Sequence, residues 1–219
     1  MKKLLLTLTI ALGFTLSSNA QIESLAGPRL GFAIISASPT SGLINGYLDF
    51  DDLGNDLPSD YDTEIKGAIT TLYGWQWESR FADGGDVTGI VEWIALVGGM
   101  EKGLFLPSVS SMVGARTSTG LEFAMGPNLS LGGIAMVFGF GYNFKSGNLN
   151  MPVNIGFVPG RKQTQETEAQ YQTEWIDEYD NNGNYIGQTW SETLISPAYT
   201  TDYNTGNRFS ITVGFNMSK

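Results

Sequence analysis

The sequence contains neither cysteine nor histidine, and its basic residues are scarce. The two absences exclude disulfides, thiol chemistry, Ser-His and Cys-His nucleophilic systems, and ordinary zinc or copper sites. Only 12 Lys and Arg stand against 22 Asp and Glu, and the net charge of −10 argues against a nucleic-acid partner. No catalytic motif is present, so we expect a protein that is not an enzyme.

The amino terminus has the three-part pattern of a secretory signal over residues 1–20. Lys2-Lys3 forms the positive region, residues 4–16 form a short apolar run, and Ser18-Asn19-Ala20 forms a small-x-small cleavage site. The apolar run is well below the ~20 residues of a membrane-spanning helix, and no later stretch resembles such a helix. We therefore predict an exported chain with a single domain over residues 21–219, which would enter a membrane only as strands.

Alternation of apolar and polar residues predicts eight β-strands. The 28 glycines and the 12% of aromatic residues also favour many short strands. Residues 87–97 are apolar on both faces, so a buried helix stays open as an alternative there. The last strand is the clearest, and one of its faces holds Phe209, Ile211, Val213, Phe215 and Met217. The predicted strands cover about residues 29–36, 69–80, 87–97, 108–116, 120–125, 131–144, 151–157 and 208–219.

Turn-forming residues mark several boundaries. Gly126-Pro127-Asn128 predicts a turn between the fifth and sixth strands. Pro152 is awkward within a sheet and predicts a strand start or a bulge. The Asn-Gly pair within residues 180–184 predicts a hairpin turn between β-forming flanks at residues 170–179 and 185–193.

The lengths of the connections bear on the environment of the barrel. If both termini lie on one side of an even-stranded barrel, the connections on that side are short, and the two long segments, 38–66 and 160–207, fall on the other side. Short turns at one end and longer loops at the other are typical of bacterial outer-membrane barrels. The pattern predicts an all-β fold: an eight-stranded antiparallel up-and-down transmembrane β-barrel with two long external loops.

The two faces of the strands agree with this prediction. Bulky residues such as Trp75, Trp77 and Phe138 occupy the apolar faces, while charged and small residues occupy the opposite faces. The interior of an eight-stranded barrel is only wide enough for side chains to fill, so large residues outside and small ones inside suit lipid. The alternative is a soluble periplasmic or secreted β-barrel that binds an apolar small molecule inside.

The signal segment, the eight alternating strands and the final segment Ser210-Ile-Thr-Val-Gly-Phe-Asn-Met217 resemble small bacterial outer-membrane β-barrel proteins. The resemblance covers nearly the whole chain after residue 20. It implies a bacterial outer-membrane location, contact with outer-membrane lipid, and recognition of the last strand by the barrel-assembly machinery during insertion. This chain departs from the class by ending in Met217-Ser218-Lys219, where an aromatic residue is more usual. The class includes anchors, adhesins, channels and a few enzymes, so the resemblance does not select a function.

Six charged residues are expected to line the lumen, because they lie on the small or polar side of the strands. A buried charge requires a partner, and arginines and glutamates balance among them, so we expect ion pairs that neutralise a filled interior. The competing interpretation is an enzyme in which the glutamates act as acid and base. The six residues are Arg29, Glu78, Arg80, Glu92, Arg116 and Glu122.

Most acidic residues lie in the two long segments, with seven of the 22 in residues 49–64 and eight in residues 161–206. The simplest interpretation is a solvated, self-repelling cap. The sharper hypothesis is a surface anchor or binding protein whose acidic loops dock a basic partner or are bridged by divalent cations to lipid phosphates. The longer segment also carries aromatic residues typical of binding surfaces, at Tyr171, Trp175, Tyr179, Tyr185, Trp190, Tyr199 and Tyr203.

Asp49, Asp51 and Asp60 are the candidate ligands for such a cation. Their spacing matches part of an EF-hand calcium loop, but Leu53 stands at a ligand position and no flanking helices are predicted. No other cofactor is expected.

Overall fold

The computed structural model describes residues 24–54, 57 and 65–218, so the predicted signal segment lies outside the described residues. Eight antiparallel strands form a closed barrel. The first seven are β1 (Ser24–Ile35), β2 (Ala68–Asp83), β3 (Val87–Gly98), β4 (Leu106–Thr117), β5 (Leu121–Ser130), β6 (Gly133–Ser146) and β7 (Leu149–Val158). The eighth is divided into β12 (Arg208–Gly214) and β13 (Asn216–Ser218).

Each barrel strand pairs with its neighbour in sequence, and the last strand closes the barrel on the first. Phe32 of β1 lies opposite both Thr71 of β2 and Ile211 of β12. Residues 87–97 belong to a strand and not to a helix, because β3 pairs with β2 on one side and with β4 on the other. The predicted eight-stranded antiparallel up-and-down barrel is therefore confirmed.

The predicted turn at Gly126-Pro127-Asn128 is wrong, because β5 continues through it to Ser130. The β4–β5 ladder is interrupted between the pairs Ser110–Asn128 and Val113–Met125. Proline cannot donate to a ladder and is tolerated where the ladder has a gap. The turn residues here mark a gap between two strands, and the actual turn lies at residues 131–132.

The eighth strand is broken at Phe215, between β12 and β13. Pro28 of β1 and Pro152 of β7 lie beside this break on the two neighbouring strands, and neither has a backbone N–H to donate. Phe215 keeps one link, from its N–H to the carbonyl oxygen of Pro28 at 3.0 Å. The strand start or bulge predicted at Pro152 is wrong, because Pro152 lies within β7 and its pairing with β6 has no register shift; the break lies in the strand that it faces.

The barrel has a turn end and a loop end. At the turn end, three short connections join successive strands, at residues 84–86, 118–120 and 147–148. The remaining connections leave the loop end, at residues 36–67, 99–105, 131–132 and 159–207. Both long segments therefore leave the same end of the barrel.

Residues 36–67 contain two short helices that the sequence pattern did not predict. α1 (Pro39–Asn45) begins at a capping box formed by Ser38 and Ser41, and α2 (Phe50–Gly54) follows it. Ile44 of α1 packs against Ile35 and Ala68 at the ends of β1 and β2. The helix therefore covers part of the loop end.

Residues 159–207 form a long β-ribbon. β8 (Lys162–Thr167) pairs with β11 (Tyr199–Asn204), and β9 (Gln170–Tyr179) pairs with β10 (Tyr185–Ser196). The Asp180 carboxylate stabilises the turn between β9 and β10 by accepting the N–H groups of Asn182 and Asn184, each at 2.8 Å. The predicted hairpin is confirmed, and we call residues 162–204 the ribbon.

The two long segments meet at the loop end. The carbonyl oxygen of Leu57 lies 3.5 Å from the Tyr199 hydroxyl and 3.4 Å from the Thr201 hydroxyl. Leu57 is itself buried. The contact ties the acidic first segment to the base of the ribbon.

The close approach of the β4 and β5 backbones at Gly126 provides a test of the barrel packing. A Cβ added at Gly126 would lie 1.9 Å from the carbonyl oxygen of Ser111, whereas one added at Gly139 would lie 3.5 Å from its nearest neighbour. We expect Gly126→Ala to lower the free energy of unfolding by about 1–3 kcal/mol, because β4 and β5 must separate. Gly139→Ala is the matched control and should stay within about 0.5 kcal/mol of the unchanged chain. Urea titration measures both, and a Gly126→Ala midpoint equal to that of the control would contradict the described packing of β4 against β5.

Candidate functional site

Large apolar side chains cover the outer face of the barrel. Trp93 is 52% exposed, Phe140 57% and Ile134 61%. Monomeric soluble proteins rarely expose apolar patches larger than a few hundred Å². An apolar face that runs around the whole barrel therefore requires a cover. Further residues of this face are Leu30, Phe32, Ile34, Ile69, Tyr73, Trp75, Trp77, Val109, Val113, Phe123, Met125, Leu129, Met136, Phe138, Ile155, Phe209 and Ile211.

The inner face carries the charged residues. Arg29, Glu78 and Glu92 are each 1% exposed. Arginine and glutamate are almost never buried to this extent unless they are paired. The alternation of the strands therefore separates an apolar exterior from a polar and charged interior.

Arg116 is the centre of one interior group, close to the turn end. Its two terminal nitrogens donate to the two carboxylate oxygens of Glu78, each at 2.6 Å. Its Nε donates to Glu122 on the neighbouring strand. Such bidentate, charge-assisted contacts are among the strongest side-chain hydrogen bonds. One guanidinium thus neutralises much of the charge of two buried carboxylates.

Arg29 is the centre of a second interior group. Its Nε donates to the Thr212 hydroxyl at 2.8 Å, and a terminal nitrogen donates to the Gln76 side-chain oxygen. The Gln76 amide in turn donates to Glu92 at 2.6 Å. Glu92 lies directly opposite Glu78 across the β2–β3 ladder, so the two groups are neighbours.

Five of the six residues predicted to line the lumen belong to these two groups. The sixth, Arg80, lines an open recess of about 470 Å³ at the turn end, together with Arg116 and Lys145. Gln76 and Thr212 link the groups but were not among the predicted residues. Both lie on the polar faces of their strands, so the alternation of the sequence places them inside the barrel. The prediction named charged residues only, and Gln76 and Thr212 are uncharged.

An apolar layer lies above the charged groups. Ile94, Met112 and Ala124 form a buried cluster with Val137 and Val158. On β3 and β5, the residues of this layer lie one inward position closer to the loop end than Glu92 and Glu122. On these two strands the layer lies on the loop-end side of the charged residues, whereas Gln76 of the Arg29 group lies directly opposite Ile94.

A cavity of about 110 Å³ lies between this layer and the loop end. Arg208 lines it, and its two terminal nitrogens donate to the Ser130 hydroxyl and to the Asn128 side-chain oxygen, each at 2.8 Å. The sequence prediction of a filled interior missed this space. It also missed Arg208, although the residue shares the inner face of the last strand with Ser210 and Thr212.

In the long segment 36–67, the acidic residue Asp49 caps the start of α2. The Asp49 carboxylate accepts the N–H groups of Asp51 at 2.9 Å and of Asp52 at 3.0 Å, at the start of α2. The third candidate ligand, Asp60, lies outside the described residues. Within residues 24–54, 57 and 65–218, no group of three acidic residues is arranged to hold a metal ion.

The ribbon has one aromatic face and one polar face. On the aromatic face, Trp175 lies opposite Trp190 with ring centroids 4.9 Å apart, and Tyr179 lies opposite Tyr185 at 5.9 Å. The polar face pairs residues such as Glu174 with Ser191. The aromatic side chains are exposed, so this face packs against no other described part of the chain.

The sequence matches no protein-family model and no curated protein. Among the described residues, no helix has the length and apolar character needed to cross a membrane. The features of the molecule that bear on its function are the barrel exterior, the interior charges and the ribbon.

The Arg116 group provides a test of the interior. We expect Arg116→Met to lower the free energy of unfolding by about 3–5 kcal/mol, because Glu78 and Glu122 would stay buried without their partner. Lys145→Met removes the same charge from an exposed position at the same end and should leave stability within about 0.5 kcal/mol. Denaturant unfolding measures both variants, and equal loss in the two would exclude a specific role for the buried pairs.

Proposed function

We propose that this chain is a bacterial outer-membrane β-barrel that anchors a binding element, the ribbon, at the cell surface. The observation that carries the proposal is the exposed apolar face around the barrel. Lipid is the cover that suits a closed barrel with large apolar residues outside and polar residues inside. Closure of β1 on β12 also leaves no barrel strand with an open edge, as a bilayer requires.

The interior favours an anchor over the alternatives. A soluble carrier of apolar ligands would leave Trp93, Phe140 and Ile134 in water. The glutamates of a barrel enzyme would need to be free for proton transfer, yet Glu78 and Glu122 are held by Arg116. We therefore propose a structural role for the interior charges and no enzymatic activity.

The aromatic face of the ribbon is the proposed binding surface, and a basic protein segment is its proposed partner. Residues 161–206 contain eight acids against Arg161 and Lys162, so the ribbon attracts positive charge. Inside the barrel, Glu92 and the neighbouring glutamates have arginines close by. In the ribbon, the acidic residues outnumber the basic ones. On the aromatic face itself, Asp177 accepts from Gln188 at 2.7 Å, and Glu192 accepts from the Trp190 indole at 3.0 Å. Carboxylates beside aromatic rings suit Lys and Arg, which pair with the acid and stack on the ring.

A two-stranded ribbon that stands alone is marginally stable in water. The cross-strand ring pairs Trp175–Trp190 and Tyr179–Tyr185 hold it together and also present its widest apolar area. Aromatic residues are enriched at protein interfaces, where they supply large apolar contact areas of this kind. The proposal needs no metal, because the carboxylates meet the partner directly.

The test compares acids on the two faces of the ribbon. Cells exporting the chain are incubated with a fluorescein-labelled decalysine peptide, before and after protease shaving. We expect Asp177→Asn with Glu192→Gln to weaken binding about fivefold, as the loss of two exposed ion pairs predicts. Glu174→Gln with Glu178→Gln changes the net charge equally on the polar face and should weaken binding much less.

Shaving of intact cells should remove the ribbon and the peptide binding together while the barrel stays protected. Equal weakening by the two double variants would reduce the interaction to general charge attraction. A ribbon that resists protease on intact cells and is cut only after lysis would contradict surface display.

A further inference from the structure

The loop-end cavity has two chemically different walls. On the side of β2 and β3 lie Leu72 and Leu96. On β4 and β5 lie Ser110, Asn128 and Ser130, and the guanidinium of Arg208 binds the last two. Such a space suits a molecule with a short apolar part and a polar head.

Arg208 has no acidic partner among the residues that the structure describes. Arg116 forms ion pairs with Glu78 and Glu122, whereas the bonds of Arg208 go to the neutral groups of Ser130 and Asn128. A partly buried guanidinium without an anion is unfavourable unless a counter-charge is supplied.

The neutral partners hold Arg208 at the cavity wall. Ser130 and Asn128 each take one terminal nitrogen at 2.8 Å, which fixes the plane of the guanidinium. A guanidinium has five N–H donors in a fixed fork that matches a carboxylate. Arg208 therefore keeps donors for an anion after both protein bonds are made.

We propose that this cavity binds a short-chain monocarboxylate, with its carboxylate on Arg208 and its alkyl part against Leu72 and Leu96. The size follows from the volume of about 110 Å³. An apolar cavity of about 150 Å³ accepts benzene, so this one accepts an alkyl part of about three or four carbons. The proposal is independent of the membrane location, because the cavity exists in either environment.

The test is isothermal titration of butyrate into the purified chain in a nonionic detergent. We expect saturable binding that Arg208→Gln weakens at least about tenfold, as the loss of a charge-assisted contact predicts. Arg161→Gln is the matched control, because it removes the same charge from the loop end without touching the cavity. It should leave butyrate binding within about twofold, since an exposed charge contributes little.

Two further measurements keep the proposal testable if Arg208→Gln does not fold. Ala33→Leu places three more carbons in the cavity and should abolish butyrate binding while Arg208 stays in place. 1-Butanol, the uncharged analogue, should bind at least about tenfold more weakly than butyrate. Absence of saturable butyrate binding, equal loss in the two arginine variants, or equal binding of octanoate would overturn the proposal, because octanoate exceeds the cavity and reports partition into micelles.

Discussion

Closure of the hydrogen-bonded ladder between β1 and β12 is the constraint on which the rest of the structure depends. A ladder that closes after eight strands leaves no open edge, and it encloses a space only wide enough for side chains. Successive residues must then point either into this narrow space or away from it. Glycines, small polar residues and paired charges fit inside, and the large apolar residues remain outside.

The same constraint explains why charged residues occur both in the barrel interior and at the loop end, where they have different roles. Arg116 holds Glu78 and Glu122, and Arg29 reaches Glu92 through Gln76, so two guanidinium groups accompany three buried carboxylates in the barrel interior. Towards the loop end, Arg208 binds neutral groups and the ribbon carries an excess of acidic residues. In our account, the barrel fixes the position of the molecule in the membrane, and the loop end makes the contacts.

The barrel was predictable because a strand shows its two faces in a period of two residues, and most barrel strands here have two unlike faces, β3 being the exception. The turn prediction at Gly126-Pro127-Asn128 was wrong because proline and glycine occur at ladder gaps as well as at turns. The sequence alone does not show which residue of the neighbouring strand each residue faces. α1 and α2 are too short to show a helical period. The six charged lumenal residues were identifiable from strand parity, but their pairing depends on the register between strands. The aromatic face of the ribbon depends on register too, since Trp175 meets Trp190 only across the hairpin.

The central claim is that lipid covers the outer face of the barrel, and tryptophan fluorescence tests it most directly. The chain has five tryptophans, of which Trp75, Trp77 and Trp93 lie on the barrel exterior and Trp175 and Trp190 on the ribbon. Two variants, each with one of these sets replaced by phenylalanine, are reconstituted into vesicles whose acyl chains carry bromine. We expect bromine to quench the barrel tryptophans and aqueous iodide to quench the ribbon tryptophans. Barrel tryptophans that iodide quenches and brominated lipid does not would contradict the account.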